Sequence, residues 1–223
     1  ALVENKGLIV ADGGNVYLTA KGRDSLLNTV VNNEGVIRAR SMSSKNGVIV
    51  LEGGEGDVIN SGTLDVSGLN NGEKGGRVQI TGNRVGILNN SSIDARGYSG
   101  GGTVLLGGDY LGSNATVTPH ANVTMLRSGA IIDASATHSG NGGKVIVWSD
   151  EVTVMDGTIK AQGGTRLGNG GFVETSSAGR LGVSGSVSVS AQNSSGKAGT
   201  WLLDPSDIVI STGTTNGSYS NAN

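Results

Sequence analysis

The stretch Gly142-Gly143-Lys144-Val145-Ile146-Val147-Trp148 decides the fold, because the chain repeats its pattern along almost its whole length. Two glycines precede a short run in which every second residue is apolar. Further copies start at Gly13, Gly75, Gly101 and Gly170, and looser copies at Gly47 and Gly199. The copies lie about 28 residues apart, with one longer step after Gly102, and a repeat of this length is typical of solenoids and arrays.

A second pattern, Asn-x-Gly-x-apolar-x-small, lies between the copies of the first, as in Asn60-Ser61-Gly62-Thr63-Leu64-Asp65-Val66. Its apolar residues keep the same period and lengthen at the same place: Ile9, Ile37, Leu64, Ile93, Ile132, Ile159 and Val187. We expect a short third strand between the two patterns, for example at 56–59. Two independent patterns with one period indicate a true structural repeat.

The composition excludes several other classes of protein. The 223 residues contain 40 Gly, 2 Pro and only 3% aromatic residues, which is typical of many short strands joined by tight turns. No apolar run is long enough to span a bilayer, and no cysteine is present for a disulfide or a thiolate metal site. A net charge of -2 gives no electrostatic reason to expect a nucleic acid as partner.

These patterns predict an all-β protein, a right-handed parallel β-helix (a solenoid) of about seven coils. Stacking in sequence order places Val16, Ile49, Val78, Val104, Val145 and Val173 in one inward ladder. We expect the glycine pairs to turn the corners with positive φ and to allow close approach of coils. The asparagines of the second pattern are expected to hydrogen-bond along the stack. A β-propeller needs four strands per blade, for which the repeat is too short.

The predicted domain organisation is a β-helix over residues 1–211 that ends in a capping segment, 199–210, with a linker or disordered tail at 212–223. Trp201 falls on the inward ladder and is expected to cap the core. The longer step predicts an extra-helical excursion at about 108–126, either a cover over apolar wall residues or a recognition loop. Because the chain opens directly into a repeat, we expect it to be a piece of a longer protein.

The outward positions of the glycine-pair strands are unusually apolar, with Tyr17, Val50, Leu105, Ile146 and Leu202 among them. An apolar stripe on a soluble rod indicates either a cover or a contact with a partner. The excursion would cover Leu105 and Ile146. The alternative is that these five residues form a contact surface for another protein or another part of the full-length chain.

The outward positions of the second pattern place Asp65, Asp94 and Asp133 on successive coils, with Arg38 and Lys160 beside them. Stacked carboxylates of this kind could bind a divalent cation or act on a polysaccharide. The simpler interpretation is that they are solvated and screened by the flanking cations. His120 and His138 lie in different loops, and we predict no metal site, no cofactor and no catalytic residues.

The sequence resembles the filamentous-haemagglutinin-like exoproteins of Gram-negative bacteria over about residues 1–211. The residues that carry the resemblance are those around Gly143–Asp150, those around Gly170–Ser176, and the closing Trp201-Leu202-Leu203-Asp204-Pro205. That family's secretion signature contains Asn-Pro-Asn, whereas neither Pro119 nor Pro205 follows an Asn here. The resemblance therefore predicts a β-helical region just after the secretion domain.

The resemblance implies a structural and adhesive stalk segment of a large secreted protein, without catalysis, that serves in cell attachment or biofilm. It implies two-partner secretion, with an outer-membrane transporter as one partner and host-cell or matrix glycans or proteins as others, at the cell surface. Two alternatives remain from the residues themselves. One is a polysaccharide-acting enzyme that uses the three aspartates, and the other is a fibre formed by self-association along the helix axis.

Overall fold

The structure, a computed structural model, describes residues 1–20 and 29–207, with side chains described as far as Asp204. It is a right-handed parallel β-helix of about seven coils, as the repeat predicted. Each coil contributes one short strand to each of three walls. Apart from one short isolated bridge between Met42 and Lys45, all described strands and bridges pair in parallel with the equivalent strand of the next coil.

The first wall contains the glycine-pair strands. They are β3 (Asn15–Thr19), β6 (Val48–Glu52), β9 (Arg77–Thr81), β12 (Thr103–Leu106), β15 (Lys144–Val147), the first half of β18 (Phe172–Val183), and β20 (Thr200–Asp207). The second wall contains the predicted short third strands. They are β1 (Val3–Asn5), β4 (Thr29–Asn33), β7 (Asp57–Asn60), β10 (Arg84–Ile87), β13 (Val123–Leu126), β16 (Val152–Met155) and the second half of β18.

The third wall contains the strands of the second pattern. They are β2 (Leu8–Val10), β5 (Val36–Arg38), β8 (Thr63–Asp65), β11 (Ser92–Asp94), β14 (Ile131–Asp133), β17 (Thr158–Lys160) and β19 (Ser186–Ser188). The long strand β18 runs around the corner between the first and second walls and joins them into one sheet. Among the described residues the only helical element is a 3-10 turn, Tyr110–Gly112, so no helix there is long or apolar enough to cross a membrane.

The core follows the predicted ladders. On the first wall Val16 pairs with Ile49, and the ladder continues in register through Val78, Val104, Val145 and Val173 to Trp201. The third wall repeats this from Ile9 to Val187. Most of these side chains are fully buried in one continuous cluster, so each coil shields the apolar side chains of its neighbours from water.

The glycine pairs permit close stacking, as predicted, but the prediction of positive φ is wrong for most of them. Gly13 has a φ of 72°, whereas none of the pairs at 75–76, 101–102, 142–143 and 170–171 has a positive φ. A methyl group on Gly143 would overlap the carbonyl oxygen of Gly102 in the adjacent coil. Close approach of two backbones, and not an unusual turn, therefore requires glycine here.

The predicted asparagine ladder forms in the first coils only. The Asn5 amide donates to the Asn33 side-chain oxygen at 2.7 Å, and Asn33 donates to Asn60 at 2.7 Å. Ile87 takes the equivalent position in the next coil, so the ladder ends there. Asn33 and Asn60 are fully buried, and the ladder gives these buried amides the hydrogen-bond partners that they require.

The excursion is shorter than the predicted 108–126, because Val123–Leu126 form β13 and pair with β10 and β16. Its one regular element is the 3-10 turn Tyr110–Gly112. The chain leaves the wall after Gly107 and returns by Ala121, whose N–H donates to the Gly107 carbonyl at 2.8 Å. We call residues 108–120 the strap. The predicted tail, 212–223, and the end of the predicted capping segment lie outside the described residues.

Candidate functional site

The outward residues of the first wall form one column, aligned in register from Tyr17 to Leu202. The five predicted contact residues differ in exposure. Tyr17 is 59% exposed, Val50 and Leu202 are half-buried, and Leu105 and Ile146 are fully buried. They therefore do not form one open surface, because the middle of the column is covered.

The strap provides that cover, and its consecutive residues Asp109 and Tyr110 both contact the wall. The Asp109 carboxylate accepts from Lys144 Nζ at 3.1 Å and from the Tyr110 N–H at 2.7 Å. Burial raises the pKa of Asp109, but these two donors and the Asn114 amide outweigh burial and leave the pKa below its usual value. The Tyr110 ring meets the Phe172 ring edge-on, with centroids 5.6 Å apart.

An indole lies directly under the strap. Trp148 is 8% exposed and forms, with Leu105, Ile146 and Phe172, an apolar cluster outside the β-helix core. A Cβ on Gly108 would lie 2.5 Å from the indole Cδ1, and one on Gly112 would lie 2.6 Å from its Cζ2. Glycines therefore allow the strap backbone to lie on the face of the ring.

The far end of the strap is held at the same indole. His120 Nδ1 lies 2.9 Å from Asp150 Oδ1, and the Trp148 N–H donates to the same oxygen at 3.4 Å. The His120 and Trp148 rings are 5.8 Å apart. Between the two ends, the Gln79 amide donates to the Val117 carbonyl at 3.5 Å. The strap, which follows β12, therefore contacts the coil before its own and the two coils after it.

The carboxyl group of Glu174 lies beneath the strap and is fully buried. Its two oxygens accept the Leu111 N–H at 3.1 and 3.3 Å. It makes no ion pair with any residue that the structure describes. Burial raises the pKa of Glu174 above its usual value and the Asp204 carboxylate adds to this, while the Ser176 hydroxyl, the Leu111 N–H and the Lys144 charge offset only part.

The three aspartates of the predicted carboxylate stack are aligned in register, Asp65 beside Asp94 and Asp94 beside Asp133. Each carboxylate accepts the N–H two residues further on, at 3.0, 3.0 and 2.9 Å respectively. These are Asx turns, which guide the chain out of the third wall. The three aspartates therefore have a local structural role in these turns, and their alignment does not require a ligand.

Two arginines that the sequence interpretation passed over pair with this column. Arg40 Nε donates to Asp65 at 2.7 Å, and the Arg96 guanidinium donates to both oxygens of Asp94 at 3.0 and 2.7 Å. Arg38 and Lys160 flank the column in register, as expected, beside Asp65 and Asp133 respectively. The guanidinium of Arg38, however, pairs with Asp12.

The two histidines lie apart, as their separation in sequence suggested. His120 pairs with Asp150, and the His138 ring stacks on Tyr98 with centroids 4.6 Å apart. Within the described part of the chain, no three His, Cys, Asp or Glu side chains are grouped so that they could hold a metal ion. Trp201 packs against the core, and its N–H donates to Thr175 Oγ1 at 3.0 Å; its capping role remains a prediction.

A comparison with solved structures gives one informative likeness. The chain resembles the HMW1 secretion domain from Haemophilus influenzae. The two share 32% sequence identity with a TM-score of 0.66, over 90% of this chain and 49% of that domain. The chain thus spans about half the length of the HMW1 domain. No protein-family model matches the sequence, and no curated protein matches it.

Proposed function

We propose that this chain is a structural β-helical segment of a large protein that is secreted by two-partner secretion from a Gram-negative bacterium. The observation that carries the proposal is the likeness to a secretion domain, which extends over 90% of the chain at 32% identity. It agrees with the resemblance of the sequence to filamentous-haemagglutinin-like exoproteins. The outer-membrane transporter of that pathway is the first proposed partner.

The likeness also changes the expected place of the chain in the full-length protein. The lack of an Asn-Pro-Asn signature suggested a region after the secretion domain, whereas the likeness is to part of a secretion domain. We therefore propose that this chain lies within a secretion domain of its own full-length protein. A parallel β-helix suits this place, because each coil offers open backbone groups on which the next coil folds as it emerges.

The second part of the proposal is that the rod supports attachment of the cell, to host-cell or matrix glycans or proteins or within a biofilm, and has no catalytic role. The stacked aspartates support this, because each accepts the N–H of an Asx turn and two of them, Asp65 and Asp94, also pair with an arginine. A catalytic acid or base would need a carboxyl group free to exchange a proton with a substrate.

Export is tested by expressing the full-length protein with and without its outer-membrane transporter and measuring the protein in the medium. We expect release only with the transporter. A matched variant lacks residues 144–171, one complete coil, because Lys144 and Phe172 occupy equivalent positions. It should keep the register of the remaining coils and still be released. Equal release without the transporter would overturn the proposal.

The absence of catalysis is tested separately, with acidic polysaccharides as substrates and chain length as the readout. The wild-type protein and the variant D65N/D94N/D133N should both leave the polymers intact. Asparagine keeps an oxygen for the Asx turn, so the triple variant should still fold. Depolymerisation by the wild-type protein that disappears in the variant would show that the aspartates form an active site.

A further inference from the structure

The strap closes over a carboxyl group that has unusually little support for a negative charge. Glu174 is fully buried, the single N–H of Leu111 serves both of its oxygens, and the Ser176 hydroxyl lies beside the carboxyl group as a further donor. An ionised carboxylate can accept about four hydrogen bonds, and a buried one needs such donors or a cation to replace water. The closed strap therefore favours the protonated form of this side chain.

The charged groups around Glu174 do not supply a positive charge that would stabilise its ionised carboxylate. Lys144 on β15 faces it, but the Lys144 ammonium is paired with Asp109 of the strap at 3.1 Å. Asp204 on β20 faces it from the other side and carries the same negative sign. His120, the other ionisable group of the strap with an ion-pair partner, is held by Asp150 on the next coil.

We propose that the strap, residues 108–120, is a proton-controlled cover: it is held closed when Glu174 carries a proton and is released when Glu174 ionises. Release lets water reach the carboxylate and frees the Leu111 N–H. It also exposes the apolar cluster of Leu105, Ile146 and Trp148 on the outer face of the rod. Lower pH thus favours the covered form of this apolar surface, and higher pH favours the accessible form.

The proposed direction of the pH dependence, release of the strap at higher pH, agrees with the electrostatics of the site. Burial raises the pKa of Glu174, so the closed form binds the proton more tightly than an open form in which the carboxyl group is hydrated. By linkage, each unit of difference between the two pKa values makes release of the ionised form about tenfold more favourable than release of the protonated form.

The test is hydrogen exchange of the purified full chain, followed by mass spectrometry from about pH 4 to pH 8, because the expected change begins at the ordinary glutamate pKa of the open form and ends at the raised pKa of the closed form. The strap is read from a peptide covering 108–118, and a wall peptide covering 77–87 is the internal reference. E174Q is the matched variant, because glutamine keeps an acceptor for the Leu111 N–H and cannot ionise. Dividing the wild-type rate by the E174Q rate removes the intrinsic pH dependence of exchange.

We expect this ratio for the strap peptide to rise with pH, by about tenfold for each unit of pKa difference, while that of the wall peptide stays constant. D204N removes the neighbouring negative charge and should move the rise to lower pH, because its loss lowers the pKa of Glu174. If the ratio of wild-type to E174Q exchange rates for the strap peptide were constant over the whole pH range, the proposal would be overturned. If E174Q did not fold, the strap-to-wall ratio of the wild-type protein would give the same decision.

Discussion

The N–H of Leu111 donates to the carboxyl group of Glu174 at 3.1 Å, although the two residues are 63 positions apart in the sequence. Leu111 has a positive φ of 51°, a conformation that an L-residue adopts only when surrounding contacts hold it. The contact therefore fixes the strap on the wall at the point where the wall would otherwise expose apolar residues.

The first prediction concerns the pH dependence of global stability. The pKa of Glu174 is raised in the folded protein above its usual value near 4.5, so the folded state binds more protons than the unfolded state. This stabilising contribution is complete below the unfolded pKa and is lost as pH rises through the folded pKa. The free energy of unfolding of E174Q should therefore increase relative to wild type with pH, by about 1.4 kcal/mol per unit of pKa shift.

Urea unfolding of both proteins at a series of pH values measures this difference. Asp12, Glu73 and Asp109 have lowered pKa values, which act in the opposite direction, but they are common to both proteins and cancel. A difference that shrinks with rising pH would contradict the prediction.

The second prediction concerns Gly112, which combines a φ of 63° with contact to the Trp148 indole. G112A adds both backbone strain and a collision with the ring. G72A is the matched control, because Gly72 has a φ of 82° and open space around its Cα. Both variants should lose about 1 kcal/mol from strain, and G112A should lose more.

Tryptophan fluorescence, to which Trp148 and Trp201 both contribute, gives a second readout for this pair of variants. G112A should increase quenching of the Trp148 indole by acrylamide, because the strap is displaced from the ring, whereas G72A should leave quenching unchanged. Equal effects of the two variants on both measurements would mean that the strap does not press on Trp148.

The third prediction concerns the corner glycines. G143A places a methyl group on the carbonyl oxygen of Gly102 and should destabilise the protein by roughly 3 kcal/mol or more, since neighbouring coils cannot separate without loss of ladder hydrogen bonds. G7A is the control, because nothing lies within 4 Å of the added methyl group. Thermal unfolding should show a large decrease in Tm for G143A and little change for G7A.

The fourth prediction concerns the asparagine ladder. N33A removes the acceptor of the Asn5 amide and the donor to Asn60, both buried, and should cost about 2–3 kcal/mol. The neighbouring Asn32 has an exposed hydrogen bond to Glu34, so N32A should change stability by less than about 0.5 kcal/mol. Chemical denaturation measures both values, and similar losses for the two variants would show that the ladder is not a major source of stability.

The fold could be predicted because two sequence patterns share one period, and register follows once alternating apolar residues must face one core. Every ladder pair proposed between Val16 and Val173 is present for this reason. Local rules failed where a residue's conformation depends on another coil. The glycine pairs illustrate this, since the neighbouring backbone, and not φ, requires them.

The position of the strap could be predicted from the sequence, but its contacts with the wall could not. Its length follows from the longer step, whereas its attachment depends on Leu111 and Glu174, which no spacing rule connects. The arginine partners of the aspartates were missed because the sequence interpretation considered only the strand positions themselves. Arg40 and Arg96 both follow third-wall strands; Arg40 reaches Asp65 on the next coil, whereas Arg96 turns back to Asp94 in its own coil.

The unequal length of the coils has a mechanical consequence. All three walls pair in parallel, so their backbone hydrogen bonds run along the rod axis and a tensile load applied at its two ends acts on successive coils in series. Coils would then detach one at a time, and an ordinary coil of about 28 residues would lengthen the tether by roughly 90–100 Å. The coil that carries the strap stores more chain than its neighbours, so its detachment would give a distinctly longer extension step and mark its position along the rod.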